Sequence, residues 1–324
     1  MMPALDVQRF TPADLDEAGA LLAGRHRDHR TAFPALDPAY EDPGTARRGI
    51  EELLAGSPVA GASARRDGRL VGYLVGTRVN ETVWGPDAWV EGAGCAAEDA
   101  ETIRDLYAYA AARWLEAGLS AHYAVVPATD LEQVDAWFRL GFGQQHVYAL
   151  RAAPDEGEIP SPPAAIGVRS AVVADLDVLA RLDLVLPEHQ ALAPTFSRLA
   201  IPTVDEARSE WEDGWDDPRF TTFVAEHEGR VIGCAVGCPV DVSSMHAGLT
   251  RPPGAGFLGF AAVLPEARGL GAGRALGEAV LEWARSTGVT TVVTDWRATN
   301  LLSSRTWPRL GFRPTFLRLH RLVG

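Results

Sequence analysis

The sequence contains no lysine: all 30 basic residues among its 324 are arginine. That excludes Schiff-base, carbamylated-lysine and Walker-type lysine chemistry, because each needs an amine that a guanidinium cannot supply. Cysteine is scarce. Cys95, Cys234 and Cys238 make an odd set with no second pair at zinc-ligand spacing, so neither a disulfide framework nor a metal site is expected, and Cys234 and Cys238 are placed within a strand. No apolar run approaches the roughly 18 residues of a spanning helix, and Met1 to Phe10 has neither a basic nor an apolar leader region. A cytoplasmic chain without a membrane partner is the expectation. Positive charge is outweighed by 43 acidic residues, giving a formal net charge of -13. A phosphate backbone needs a basic stripe to displace its counterions, and none is visible, so a nucleic-acid partner is not expected.

What is present is an ordinary globular balance, 47% hydrophobic and 23% charged, at a length suited to two domains or one large barrel. An internal repeat decides between them. Asp14-Leu15-Asp16 recurs as Asp175-Leu176-Asp177, and Gly68-Arg69-Leu70-Val71-Gly72 as Gly229-Arg230-Val231-Ile232-Gly233, both 161 residues on. Further along, Gly118, Trp137 and Gly141-Phe142 recur as Gly288, Trp307 and Gly311-Phe312, 170 residues on. A nine-residue insertion in the second copy, between Gly237 and Arg274, accounts for the difference. Units this long are duplicated domains rather than solenoid repeats.

The proline-rich stretch Ala153 to Ile166, with Pro154, Pro160, Pro162 and Pro163, suits neither a helix nor a central strand and reads as the linker between residues 1–152 and 167–324. Each copy predicts a strand (Val7 to Phe10; Val168 to Ala171), then a helix opened by the Asp-Leu-Asp segment. A hairpin follows (Val59 to Gly76; Phe220 to Cys238), turning at Asp67-Gly68 or Glu228-Gly229. A long helix stopped by glycine comes next (Ala100 to Ala117; Gly271 to Thr287). A strand (Ala121 to Val126; Thr290 to Asp295) and a last helix (Leu131 to Leu140; Leu301 to Leu310) complete the pattern. The fold class is α/β in the α+β sense, with two tandem domains, each a mixed, mostly antiparallel sheet flanked by helices.

Chemistry concentrates in the second copy, where Gly259 to Val263 runs through Leu264-Pro265-Glu266-Ala267 into Arg268-Gly269-Leu270-Gly271-Ala272-Gly273-Arg274. Three glycines in five positions at a helix start let backbone N–H groups converge on an anion, and the helix dipole adds positive potential. Arg268 and Arg274 would bracket that anion. Without G-x-G-x-x-G or a lysine, the segment is neither a Rossmann nor a Walker loop.

The segment resembles motif A of the GCN5-related N-acetyltransferase (GNAT) family, R-x-x-G-x-G after a strand ending V-x-P, met here by Val263, Pro265, Arg268, Gly271 and Gly273. A second family segment, N-x-x-A-x-x-x-Y-x-x-x-G-F, is approximated by Asn300, Ser303, Trp307, Gly311 and Phe312. The resemblance implies acetyl-CoA as cosubstrate and no metal. Ala261, Ala262 and Val263 would pair with the pantetheine arm, the amides from Arg268 through Gly269, Leu270, Gly271, Ala272 and Gly273 to Arg274 would hold the pyrophosphate, and Asn300, Ser303 and Trp307 would line the cleft. It also implies an acceptor amine on a small molecule or peptide. The oligomeric state is left open.

Subtracting 170 from Arg268, Gly269, Gly271 and Gly273 gives Glu98, Asp99, Glu101 and Ile103, so carboxylates would repel a pyrophosphate in the first copy, which is expected to have lost the cofactor. Asp130 replaces Asn300. The family's usual acid, a tyrosine, is Trp307 here, and Gly256 to Val263 has no ionisable side chain to serve as base. The remaining catalytic candidates are Asp295 on the neighbouring strand and Glu188 and His189 in the acceptor region. An acyl-CoA-binding sensor or scaffold without turnover is the alternative reading.

Overall fold

The computed structural model describes residues 5–79, 86–158 and 163–323; linker residues 159–162, including Pro160 and Pro162, lie outside them. Two compact units emerge, and neither is a continuous stretch of chain: unit 1 holds residues 1–147, 247–253 and 314–324, unit 2 residues 148–246 and 254–313.

The first repeat runs β1 (Asp6–Arg9), α1 (Leu15–Ala32), α2 (Pro43–Ala55), β2 (Pro58–Arg66), β3 (Arg69–Thr77), β4 (Asp87–Val90), β5 (Cys95–Ala97), α3 (Ala100–Glu116), β6 (Ala121–Pro127), α4 (Leu131–Arg139) and β7 (Gly143–Ala152). The second runs β8 (Gly167–Ser170), α5 (Leu176–Ala191), α6 (Val204–Gly214), β9 (Thr221–His227), β10 (Arg230–Pro239), β11 (Gly256–Val263), α7 (Ala272–Ser286), β12 (Thr291–Arg297), α8 (Ser303–Arg309) and β13 (Arg313–Leu322). Both hairpins turn where expected, on the left-handed pairs Asp67-Gly68 and Glu228-Gly229, whose twist matches that of the flanking strands. The repeated Asp14 and Asp175 are buried and do the same work: each carboxylate accepts from the backbone N–H three residues before it, Thr11 or Val172, at 2.8 Å.

Within unit 1 the strands are ordered β1, β2, β3, β4, β6, β13, with β5 also on β3; within unit 2 they are ordered β8, β9, β10, β11, β12, β7. The parallel pairs are β4 with β6 and β11 with β12, while the hairpins and β13 with β6 are antiparallel. The last strand of each repeat has thus been exchanged: β13, from the second copy, completes unit 1, and β7 leaves unit 1 after Val147 to complete unit 2. This departs from the sequence expectation of units at 1–152 and 167–324. Two arginines that are themselves repeat mates fix the exchange. Arg321 on β13 donates to the Leu140 carbonyl at the end of α4, and Arg151 on β7 donates to the Leu310 carbonyl at the end of α8. Each guanidinium lies against the left-handed glycine that ends the helix, Gly141 or Gly311, within 3.5 Å of where a Cβ would stand.

The core of unit 1 packs α3 and α4 onto the sheet through Tyr107, Trp137 and Phe142, with ring centroids 4.7 to 5.6 Å apart. In unit 2, the α5 side of the sheet buries Leu179, Leu182, Val224, Cys234 and Ala262. Cys234 and Cys238 lie in β10, as expected, and burial raises both thiols, Cys238 to about 11.

Strand registers locate the nine-residue difference. Thr77 and its mate Cys238 face Trp89 and Phe257, which are 168 apart, while Gly72 and its mate Gly233 face Ala97 and Val263, which are 166 apart. The second copy therefore has seven more residues between β10 and β11, two fewer where β4 and β5 are separated, and four more between β11 and α7. That corrects the expected alignment of Glu98, Asp99, Glu101 and Ile103 with the glycine loop. Only Glu98 and Asp99 link β5 to α3, and Glu101 and Ile103 belong to the helix. The loop in unit 1 is absent rather than recharged. Asp99 caps α3 in its place, accepting from Thr102 N at 2.8 Å, and Glu98 pairs with Arg69.

Candidate active site

In unit 2, parallel pairing of β11 with β12 reaches only Leu258 opposite Thr294. Beyond it the β12-facing edge of β11 opens into a cleft of about 390 Å³, lined by Ala261, Ala262 and Val263, by Arg268 to Arg274 except Leu270, and by His189, Asn300, Ser303 and Trp307. Leu270 is exposed beside it.

Local backbone geometry explains the glycines. Gly269 and Gly271 have φ of 86° and 91°, a left-handed conformation that L side chains rarely adopt. Gly271 is also the N-cap of α7 and has no side chain to satisfy the first-turn N–H groups, whose residues Ala272 and Gly273 line the cleft. Arg268 Nε is buried there with no hydrogen-bond partner among the described residues, whereas Arg274 is exposed and ion-paired to Glu278 at 2.7 Å. An anion at the helix start would meet open amides and a free guanidinium N–H. Pyrophosphate fits that donor set, and the open β11 edge fits the amides of an extended pantetheine arm.

His189, at the end of α5, lies in this cleft beside Arg268 and Asn300. Burial first, then the Arg268 charge, lower its pKa, against a hydrogen bond donated to Asn300 that raises it, so the neutral imidazole is favoured. Asn300 Oδ1 also accepts from Leu302 N at 3.1 Å, capping the turn into α8. Its mate Asp130 caps α4, accepting from Gln133 N at 2.9 Å. Trp307 is 7% exposed, packs edge-on to Phe312 and covers Gly277. Glu188 and Asp295 do not line the cleft. Asp295 is on β12, on the same face as Arg297, whose Nε donates to Gln190 at the end of α5.

The corresponding place in unit 1 is filled from within. Pairing of β4 with β6 stops at Val90 opposite Ala124, and the half-buried Arg25 donates to the carbonyls of Gly92 and Cys95 just beyond. Its repeat mate is Leu186, which lines the unit 2 cleft. The exposed strand edge that could receive a ligand is satisfied by the protein's own side chain.

Comparison with known proteins bears on the same residues: 188–312 match the acetyltransferase (GNAT) family profile. The matched stretch lies in the second repeat, from the end of α5 to the turn before β13. A mycothiol acetyltransferase from Cellulomonas flavigena is 28% identical over 208 residues, 62% of this chain; the match spans only about half (54%) of that relative. A GCN5-related N-acetyltransferase from Sphaerobacter thermophilus has the same fold at TM-score 0.58 and 15% identity, covering 99% of this chain and 97% of the other. A tandem GNAT protein from the clavulanic acid biosynthesis pathway aligns at TM-score 0.50 and 16% identity, with 99% of each chain covered.

Two features are not announced by the sequence pattern. Arg25 could have been found by subtraction, since an arginine opposite Leu186 breaks an apolar pattern. The second is a buried group on the α5 face, Ser243 and His246 from the β10–β11 loop with Asp295: His246 Nδ1 is 3.1 Å from Ser243 Oγ and 3.8 Å from Asp295 Oδ2. Among the described residues no group of three His, Cys, Asp or Glu could hold a metal, and no helix is long and apolar enough to cross a membrane.

Proposed function

We propose that unit 2 transfers an acetyl group from acetyl-CoA to a primary amine of a small molecule or peptide, and that unit 1 binds no cofactor. The observation that carries this reading is the conjunction of an uncapped, glycine-built helix start with an open β11 edge in one continuous cleft. Acetyl-CoA supplies an activated thioester. The first-turn amides of α7 and Arg268 hold its pyrophosphate, and Ala261 to Val263 align its arm so that the thioester lies between β11 and β12, near Asn300 and Ser303.

The acceptor nitrogen forms its bond to the acetyl carbon as the carbon–sulfur bond breaks, the sulfur leaves as thiolate, and the ammonium proton passes to a base. His189, whose neutral form is favoured, Asp295 on the α5 face of β12 and Glu188 beside His189 are the side chains assigned to proton acceptance and amine binding. Trp307 offers a donor too weak to protonate a thiolate, so the thiolate leaves through water or unassisted. Because the family's tyrosine is replaced, an acyl-CoA sensor is the second reading.

A panel containing an aminosugar, a diamine, an amino acid and a peptide with a free N-terminus, incubated with acetyl-CoA, separates the two. Thiol release that depends on one of the amines is expected. Tight acetyl-CoA binding with no amine-dependent release would favour the sensor.

A further inference from the structure

Unit 2 has a second groove, of about 550 Å³, between α7 and the strands β8 and β9. It lies on the sheet face opposite α5. Phe223 and Val168 pair with Ala235 and Ala225, on the face where Gly233 and Gly237 meet Leu276 and Trp283 of α7, whereas Val224 and Cys234 alternate onto the α5 side. Phe223 and Val168 line the groove from the strands, and Ala275, Ala279 and Trp283 line it from the helix. In the first repeat the mate of Ala279, 170 residues earlier, is Tyr109. That ring packs against the unit 1 core, with the Arg113 guanidinium 3.5 Å from its centroid. An aromatic ring carrying a cation thus stands on α3 where α7 has only a methyl group, and the mate of Arg113 is Trp283.

The charged residues along the groove differ in what holds them. Arg169 is committed to Asp175 at 2.7 Å and to Glu226 at 2.9 Å. Glu282 is half-exposed and pairs with Arg285. Glu278 is 8% exposed at its side chain, and its partner among the described residues is Arg274, 61% exposed and one turn earlier on α7, at 2.7 Å. A nearly buried carboxylate needs a cation beside it to stay charged, whereas an i,i+4 pair with an exposed arginine is weak, so exchanging one cation for another costs little. Arg274 also lines the cleft at the glycine loop. One ion pair therefore stands between the groove and the cleft. We propose that the groove is an effector site for an aromatic cation whose charged end carries N–H donors. The ring seats between Phe223 and Trp283, its charged end takes Glu278, and the released Arg274 adds its charge to the pyrophosphate end of the cleft. This places a second ligand beyond the acetyltransferase reading, and rests on that reading only where acetyl-CoA affinity is the readout.

Benzamidinium is the probe, an aromatic ring bearing a planar cation that fits a carboxylate and, because its nitrogens share the charge, is not an acceptor amine. Calorimetry on the full chain should give millimolar binding. Ala279→Tyr, which puts the first repeat's ring into the groove, should abolish it and leave acetyl-CoA affinity in the absence of probe unchanged. With benzamidinium saturating, acetyl-CoA should bind roughly 3- to 10-fold tighter, and by linkage bound acetyl-CoA should tighten benzamidinium by the same factor. Glu278→Gln frees Arg274 outright: it should weaken benzamidinium about tenfold or more, tighten acetyl-CoA without the probe, and show no further gain with it. Absence of benzamidinium binding, binding that survives both substitutions, or an acetyl-CoA affinity indifferent to the probe overturns the proposal. An arm that needs no cofactor follows the Arg274 Nε–H resonance, which should shift when benzamidinium is added to the wild type; a resonance that stays in place also overturns it. If acetyl-CoA bound to no form of the chain, the acetyltransferase reading would fail, with the probe-binding and resonance arms still deciding the groove.

Discussion

At the residue scale, the glycines of the unit 2 loop divide into those that the fold needs and one that it does not. Gly269 and Gly271 are left-handed, and a Cβ on Gly271 would come within 3.0 Å of Pro163. Gly273 has neither problem: it lies in the first turn of α7, and its Cβ would make an ordinary 3.7 Å contact with Val263. Gly273→Ala should therefore leave thermal stability unchanged or raise it by up to about 1 kcal/mol through helix propensity, while the added methyl narrows the amide cradle and weakens acetyl-CoA about tenfold or more, near 1.4 kcal/mol. Differential scanning and calorimetry on the same variant check both halves, and an unchanged acetyl-CoA affinity would count against the cradle. Trp307 belongs with the fold as well as with the cleft wall. Trp307→Phe should cost stability by about 1–2 kcal/mol and change the rate per folded molecule less. Since indole supplies no acid, the wild-type pH–rate profile should lack a falling limb at about pH 9–10, where a tyrosine would give one. A falling limb that disappears in Trp307→Phe would show that Trp307 organises an acid.

At the element scale, most of the chain was legible because each element carries its own local signal. The hairpins were announced by Asp67-Gly68 and Glu228-Gly229, the long helices by Gly118 and Gly288, and the cleft by a glycine pattern whose backbone consequence is local. Two things were not legible, for physical reasons. The exchange of β7 and β13 is invisible because the two strands are repeat mates, and an alternating pattern states that a strand is half-buried without stating against which sheet. The absence of a loop in unit 1 looks like charge substitution in the sequence because no single offset holds through a region where the register changes three times. The exchange makes a measurable claim. Arg151→Ala and Arg321→Ala each remove a charge-assisted bond to the last helical carbonyl, and each should cost about 1.5–3 kcal/mol, on the unfolding of unit 2 and of unit 1 respectively. Denaturant unfolding followed by hydrogen exchange assigns the loss. If Arg151→Ala exposed α4 rather than α8, the assignment of the exchanged strands would be wrong.

At the scale of the whole molecule, duplication has left one unit with an open cleft at a glycine-built helix start and one whose corresponding strand edge is bonded by Arg25. Arg25 occupies the strand edge of unit 1, and its charge adds to the burial that pushes His29 down to about 3; burial likewise lowers His320 to about 4. Both values lie below the unfolded histidine range, so the folded state binds fewer protons than the unfolded chain. The stability these neutral rings contribute is complete above about pH 6.5 and is lost as pH falls, through about 4 for His320 and about 3 for His29, at about 1.4 kcal/mol per pH unit for each group. Urea midpoints measured from pH 7 to 5 at constant ionic strength should fall, and His29→Leu should flatten the slope; a slope unaffected by His29→Leu would contradict the assignment.

The asymmetry of the two units is the central claim, and binding stoichiometry tests it most directly. Calorimetric titration of the full chain with acetyl-CoA should give one site per chain, unaffected by Arg25→Gln in unit 1 and weakened by Gly273→Ala in unit 2. Two equivalent sites, or one site that survives Gly273→Ala unchanged, would contradict it.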